Sequence, residues 1–209
     1  FANTTGNLGT IYTVLRDNDL MYLGTNHGLF VTDIKQKRGD LSFDNLRIIP
    51  NTQGQVWELG RFDNQILCGH NDGTYLVDGN NAKIISDITG GWSVKKYGDM
   101  LLEGTYTGII SLKKDENGKW SYRNRVRGYN EPTRFIEVDY LGYIWAIHQH
   151  KGIYRLELNE QADSVVSTLY FPSISGTQGK LTMSKINNQV VFMTSDYIYT
   201  FDYENKKFV

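Results

Sequence analysis

Four histidines, His27, His70, His148 and His150, are the residues whose chemistry stands out first, because each falls in a short polar segment beside a glycine: TNHG, GHNDG and HQHKG. An imidazole near neutrality can hold a metal, relay a proton or hydrogen-bond a ligand hydroxyl. His148 and His150 are two residues apart, so on an extended strand their rings point the same way and could begin a zinc or copper site. A third ligand would have to come from another part of the chain. The sole cysteine, Cys68, sits in the apolar run ILCG and reads as an inert buried thiol; alone it excludes an internal disulfide. Hydrolytic chemistry would need paired carboxylates, for which Glu58, Asp63, Glu137 and Asp139 are the candidates. A glycosidase requires two of them at a defined separation across the sugar bond. There is no GxSxG, no HExxH and no glycine loop opening a helix. The expectation is therefore no catalytic residue, no metal and no cofactor.

The elements that position these residues follow from a repeat. Taking the second glycine of each polar segment as a ruler, Gly28, Gly73, Gly108, Gly152 and then Tyr197, the intervals are 45, 35, 44 and 45 residues. A period near forty is that of four-stranded propeller blades. Each unit opens with a strand bearing an early aromatic or bulky residue (IYTVL, VWELG, WSVKK, RFIEV, LTMSK) and a polar turn. A short, almost wholly apolar strand follows (LMYLG, QILCG, MLLEG, YIWAI, VVFMT), as suits a strand covered on both faces. After the glycine segment come a third strand and a more polar fourth. The repeats run at about 10–50, 54–88, 91–128, 133–172 and 179–209 of one propeller domain. The recurring glycine is expected at positive φ, closing a type I turn with a G1 bulge. Pro50, Pro132 and Pro172 fall between units, where a missing amide donor costs nothing. The fold class is all-β, a propeller of four-stranded blades in five repeats.

In an up-and-down blade the turn between second and third strands shares one rim with the connection into the next blade. That rim gathers His27, His70, His148 and His150 with Asn26, Asp72, Trp92, Tyr106, Tyr129, Asn130 and Arg134. Aromatic planes beside amides and charges suit a pyranose, which offers an apolar face and a ring of hydroxyls. The structural alternative is that hairpin turns are polar anyway and tolerate histidine.

Bulk properties narrow the partners. The 209 residues carry 22 basic and 23 acidic side chains, net charge −1, which argues against a nucleic-acid surface. The most basic stretch, KKDENGKWSYRNRVRGYN, parses as an outermost strand whose charges discourage edge pairing. No apolar run is long enough to span a bilayer, and no signal peptide is visible.

The units resemble the two-component regulator propeller repeat: an acidic or Gly turn, a Leu-Trp/Tyr-x-Gly-Thr strand, two variable residues, then Gly-Leu. DNDLMYLGTNHGLFVTDI, Asp17 to Ile34, carries the pattern best. DYLGYIWAIHQHKGIYRLEL matches at Gly142, Ile144, Trp145 and Gly152, with His148 in place of the first glycine. The units at Asp63 and Tyr97 keep both glycines and lose the aromatic; the last keeps only the apolar skeleton. The resemblance implies a non-catalytic, periplasmic sensor segment of a hybrid two-component system of Bacteroidetes, binding an oligosaccharide or other small ligand or mediating receptor assembly. It implies membrane attachment only through other parts of the parent. Larger propellers are usual in the family. Phe1 and the tail KKFV fall in mid-repeat. Either five blades close with the N-terminus completing the tail, or an open array leaves apolar end faces that favour pairing with a second copy. A glycan-active lyase or hydrolase and a protein-interaction platform are the alternatives.

Overall fold

The structure, a computed structural model, describes residues 8–37, 40–174 and 180–209. Phe1 and residue 179, where the fifth repeat is expected to begin, lie outside them. The described residues form twenty strands and no helix, so none is long and apolar enough to cross a membrane as a helix. The strands make five four-stranded antiparallel sheets, each in simple chain order.

The first sheet holds β1 (Ile11–Asp17), β2 (Leu20–Thr25), β3 (Gly28–Lys37) and β4 (Asp40–Gln53). The second holds β5 (Val56–Phe62), β6 (Gln65–His70), β7 (Gly73–Asp78) and β8 (Asn81–Ser86). The third holds β9 (Ser93–Tyr97), β10 (Met100–Thr105), β11 (Gly108–Lys114) and β12 (Trp120–Arg125). The fourth holds β13 (Phe135–Val138), β14 (Ile144–His148), β15 (Gly152–Leu158) and β16 (Val165–Phe171). The fifth holds β17 (Thr182–Ile186), β18 (Gln189–Met193), β19 (Ile198–Asp202) and β20 (Lys207–Phe208). The five four-stranded sheets and their simple strand order are those expected from the sequence. Pro50 differs: it lies inside β4, in an irregular stretch where the register with β3 shifts, which is where a strand tolerates a missing donor.

The second strand of each sheet is the most covered. β10 is buried throughout and β6 and β14 nearly so, whereas β16 is largely exposed. Apolar side chains leave β6 and β14 on both faces, which is why these segments show a continuous apolar run rather than alternation. Contacts divide the chain into two compact units, Phe1–Trp92 with Lys114–Ser121, and Ser93–Lys113 with Tyr122–Val209. In the first, Tyr22, Leu29, Val31, Ile49, Val56 and Cys68 form one core. Cys68 is buried and reduced, as its apolar neighbours predict. The segment Lys114–Ser121 belongs there because Trp120 is buried and its indole donates to the Phe62 carbonyl at 3.1 Å. In the second unit, one core surrounds Leu102, Ile136 and Ile144, and another packs Trp145 against Phe192 and Phe201.

Candidate functional site

The hairpin between second and third strands has a fixed internal design. In the first sheet the Thr25 hydroxyl accepts the amides of His27 and Gly28, at 3.0 and 3.2 Å, and donates to the Gly28 carbonyl. Thr105 accepts the Thr107 amide at 3.2 Å and donates to the Gly108 carbonyl. Thr194 accepts the amides of Asp196 and Tyr197, at 3.3 and 3.1 Å. Histidine occupies the same place in the other two sheets. His70 Nδ1 accepts the Asp72 amide at 3.0 Å, and His148 Nδ1 accepts the amides of His150 and Lys151, both at 3.1 Å. A side-chain acceptor one bond from Cβ or on the near ring nitrogen satisfies amides the turn leaves open. His70 and His148 therefore do a hydroxyl's work, and in both Nε2 carries the proton of the neutral ring.

The glycine ending the turn has a second cause. Gly28, Gly73, Gly108 and Gly152 have φ of +152°, +143°, +123° and +123°. These values lie well past the left-handed position near about +57° that a G1 bulge uses, so that expectation is corrected. The reason is a close approach: a Cβ on Gly73 would lie 2.1 Å from the Ser86 carbonyl oxygen, and one on Gly152 would lie 2.2 Å from that of Phe171. The end of the fourth strand presses on the turn.

Within the first unit, the Asn26 side chain accepts the Thr10 amide at 2.7 Å and so holds the lead-in to β1. His27 and Asp72 are exposed at their turn tips. His70 is fully buried, its ring edge-on to Tyr75 at 5.3 Å. Burial pushes its pKa down; Asp72 and the nearby carbonyls of Thr52 and Gln53 oppose this without a fully formed bond to Nε2. Trp92 stands edge-on to Trp57 at 6.3 Å, and Trp57 lies 5.5 Å from Tyr12. The register explains this ladder. Tyr12, Trp57 and Trp92 each precede the residue that pairs with the glycine before the turn cap: Thr13 with Gly24, Glu58 with Gly69, Ser93 with Gly104. Tyr12 and Trp57 were not among the residues singled out, although the early aromatic in each first strand marks them.

Within the second unit, Tyr106 is half-buried at its turn. Tyr129 is 4 % exposed, its hydroxyl 3.3 Å from Thr133 Oγ1, and burial drives its pKa well up. Arg134, His148 and His150 come together: with Phe135, Lys180 and Leu181 they line a cavity of about 590 Å³. Arg134 and Leu181 hold the ladder position of their own sheets, just before the pairs Phe135 with Ile147 and Thr182 with Met193. The Arg134 guanidinium lies 5.5 Å from the Phe135 ring centre. Only Arg134, His148 and His150 of the described lining were candidates from the sequence; Phe135, Gln149, Lys180 and Leu181 are among those that were not. His148 and His150 do not share a strand, since β14 ends at His148; their rings are 6.3 Å apart. Among the described residues no group of three His, Cys, Asp or Glu side chains could hold a metal.

Three of the four carboxylates considered for hydrolysis have structural partners. Asp139 Oδ1 accepts the amides of Leu141 and Tyr143, both at 2.9 Å, and Oδ2 accepts the Trp145 indole at 2.8 Å and the Tyr203 hydroxyl at 2.7 Å. Glu137 pairs with Lys95 at 2.8 Å, and Asp63 with Lys114 at 3.0 Å. Glu58 is half-buried on β5.

No protein-family model matches the sequence, and no curated protein matches it. Among solved structures the chain is similar to the extracellular domain of a B. thetaiotaomicron protein described as a hybrid two component system, with 15% identity and a TM-score of 0.63. That likeness covers 97% of this chain and 27% of the other, so the chain spans about a quarter of that domain. A Bacteroides fragilis protein described as a 6-phosphogluconolactonase is similar at 13% identity and TM-score 0.63, covering 97% and 69% of the two chains. The WD40 beta propeller domain of Doa1 is similar at 13% identity and TM-score 0.55, covering 92% and 63%. With five up-and-down four-stranded sheets already in place, these likenesses give the fold its name: a β-propeller built of four-stranded blades.

Proposed function

We propose that the chain is a ligand-sensing, extracytoplasmic propeller segment of a hybrid two-component sensor histidine kinase, non-catalytic in itself, which binds an oligosaccharide. The observation that carries this reading is the cavity of the second unit. It lies in the size range of roughly 300–1,000 Å³ typical of small-ligand sites. It combines an aromatic ring, Phe135, with the polar groups of Arg134, His148, Gln149, His150 and Lys180. The likeness to an extracellular two-component domain supports the setting, periplasmic in such a system. The partner chemistry of Asp139, Glu137 and Asp63 supports recognition over hydrolysis, because a carboxylate held by buried donors or a lysine is a poor acid–base pair. Tyr12, Trp57 and Trp92 offer a second stacking platform in the first unit.

The test is a thermal-stability screen of the chain against plant and host oligosaccharides, with product analysis of every mixture. A sugar lactone is included because one similar structure is described as a 6-phosphogluconolactonase. Stabilisation without product is expected. Product formation turns the reading to an enzyme, and silence across the panel turns it to an interaction platform.

A further inference from the structure

We infer that β16 is a self-association edge, along which a second copy of this chain adds its own β16, antiparallel, about a two-fold axis at Leu169. The fourth strand closes each sheet, so its outer edge presents alternate backbone amides and carbonyls to whatever lies beyond. Four of the five closing strands carry features that discourage a neighbouring strand. β4 holds Asp40, Asp44, Arg47 and Pro50 and shifts register twice. β8 holds Lys83, β12 holds Arg123 and Arg125, and β20 is two residues long with Lys207. β16, VVSTLYF, has no charge and no proline. Its Val166 and Tyr170 are 60 % and 49 % exposed, and Ser167 and Thr168 are exposed as well. Among the described residues no strand pairs with this edge, and only Arg127 bridges it, at Ser164.

Both ends of the open edge are defined. At its start the Val165 amide donates to the Arg127 carbonyl at 2.8 Å. Val166 is the extra residue of a bulge between the pairs Leu158 with Val165 and Glu157 with Ser167. At its finish Pro172 has no amide to donate. Residues 167–171 are the regular span between these limits, and Leu169 is their midpoint. A copy turned about that point matches the span end to end: Thr168 faces Tyr170 twice, Ser167 faces Phe171 twice, and Leu169 faces itself. Pro172 of one copy then falls opposite Val166 of the other, where the bulge already interrupts the ladder. Pairs of an aromatic with a β-branched residue are among the stabilising cross-strand pairs, and no like charges meet. The span is also rigid before it pairs. The Tyr170 hydroxyl donates to the Lys151 carbonyl at 2.6 Å, and the Phe171 ring stacks on Trp145, so little ordering entropy is lost on association. With one unguarded closing strand per chain, pairing about a two-fold axis stops at two copies instead of running on as a fibre.

The experiment is sedimentation equilibrium of the chain over about a hundredfold range of concentration, with amide hydrogen exchange read by mass spectrometry at both extremes. The expected result is a monomer–dimer equilibrium without larger species, and severalfold slower exchange in residues 166–171 at the high extreme alone. Thr168→Lys changes an exposed position and sets two lysines beside the two-fold axis. It should weaken the dimer roughly tenfold or more without moving the melting temperature of the dilute chain. Ile198→Lys is the control, because Ile198 is 69 % exposed on β19 of the fifth sheet, and it should leave association unchanged. A chain that stays monomeric throughout overturns the inference. So does a dimer whose 166–171 amides exchange as fast as the monomer's. A dimer that Ile198→Lys dissolves and Thr168→Lys spares overturns it too, since the copies would then meet on another surface.

Discussion

Replacing Asp139 with asparagine tests what positions the fourth and fifth sheets of the second unit. The side chain keeps its shape, and one oxygen can still accept the amides of Leu141 and Tyr143. The other oxygen becomes an amide that meets the Trp145 indole and the Tyr203 hydroxyl. Tyr203 can rotate its proton away and accept; an indole N–H cannot, so Trp145, fully buried, loses its partner. An unsatisfied buried donor costs about 1–3 kcal/mol, and bonds to a charge exceed neutral ones by about 1 kcal/mol each. Together the expected destabilisation is about 3–5 kcal/mol. Urea unfolding followed by circular dichroism measures it, with Tyr140→Phe as a control because Tyr140 is exposed and only edges Tyr203. Tyr203→Phe removes one of the four bonds and should cost about 1–2 kcal/mol. The double variant should cost less than the sum of the two, since both act on Oδ2. An Asp139→Asn chain within about 1 kcal/mol of the parent would refute the claim that this carboxylate joins the two sheets.

Other expectations separate the turn design from ligand chemistry. Gly73→Ala should destabilise far more than Gly79→Ala, by about 3 kcal/mol or more against about 1. A Cβ at Gly73 meets the Ser86 carbonyl, whereas at Gly79 nothing lies within 4 Å; paired melting curves check it. His148→Asn, which can place an oxygen where Nδ1 accepts, should stay within about 0.5 kcal/mol of the parent, while His148→Phe should cost about 1–2 kcal/mol. Equal losses would mean that the ring packs rather than accepts. Burial lowers the pKa of His70, so the folded state binds that proton less readily than the unfolded chain. Its contribution is therefore fully present above the unfolded value of about 6.5 and is lost as pH falls from there toward the folded one. His70→Asn should flatten melting temperature against pH in that window, distinct from the lower range where Asp33, Asp99, Asp163 and Asp202, all held below the usual carboxylate value, take up protons.

The repeat was legible because the turn leaves few choices. Glycine recurs at 28, 73, 108 and 152 because a Cβ there would press on a backbone carbonyl in or shortly after the fourth strand, with the Ile48 side chain crowding it as well at Gly28, and apolar runs recur because the second strands are covered on both faces. The histidines were legible as a slot but not as a role. Threonine and histidine look unrelated on a composition basis, yet Thr25, His70, Thr105, His148 and Thr194 all offer an acceptor at the same point of the turn. That equivalence appears only when the pairing fixes which residue precedes the loop. His27 and His150 sit two residues later and are exposed, so the four fall into two kinds. Lys180 escaped notice because it follows a connection whose path the sequence does not specify, and Phe135 because it reads as ordinary strand filler.

The two recurring positions differ in how far they can vary. The cap must present an acceptor to backbone amides, and among the five sheets only threonine and histidine fill it. The ladder position meets no such demand, since it falls at a register shift early in the first strand (Tyr12, Trp57) or just before that strand (Trp92, Arg134, Leu181). A site whose chemistry can change from aromatic to cationic to aliphatic without disturbing the sheet is where recognition can diverge while the scaffold stays constant. On that logic, exchanging Arg134 for tryptophan should leave the melting temperature within about 0.5 kcal/mol equivalent of the parent and alter only which sugars stabilise the chain. If the same exchange unfolds the second unit, the ladder position is part of the scaffold and the separation of roles fails.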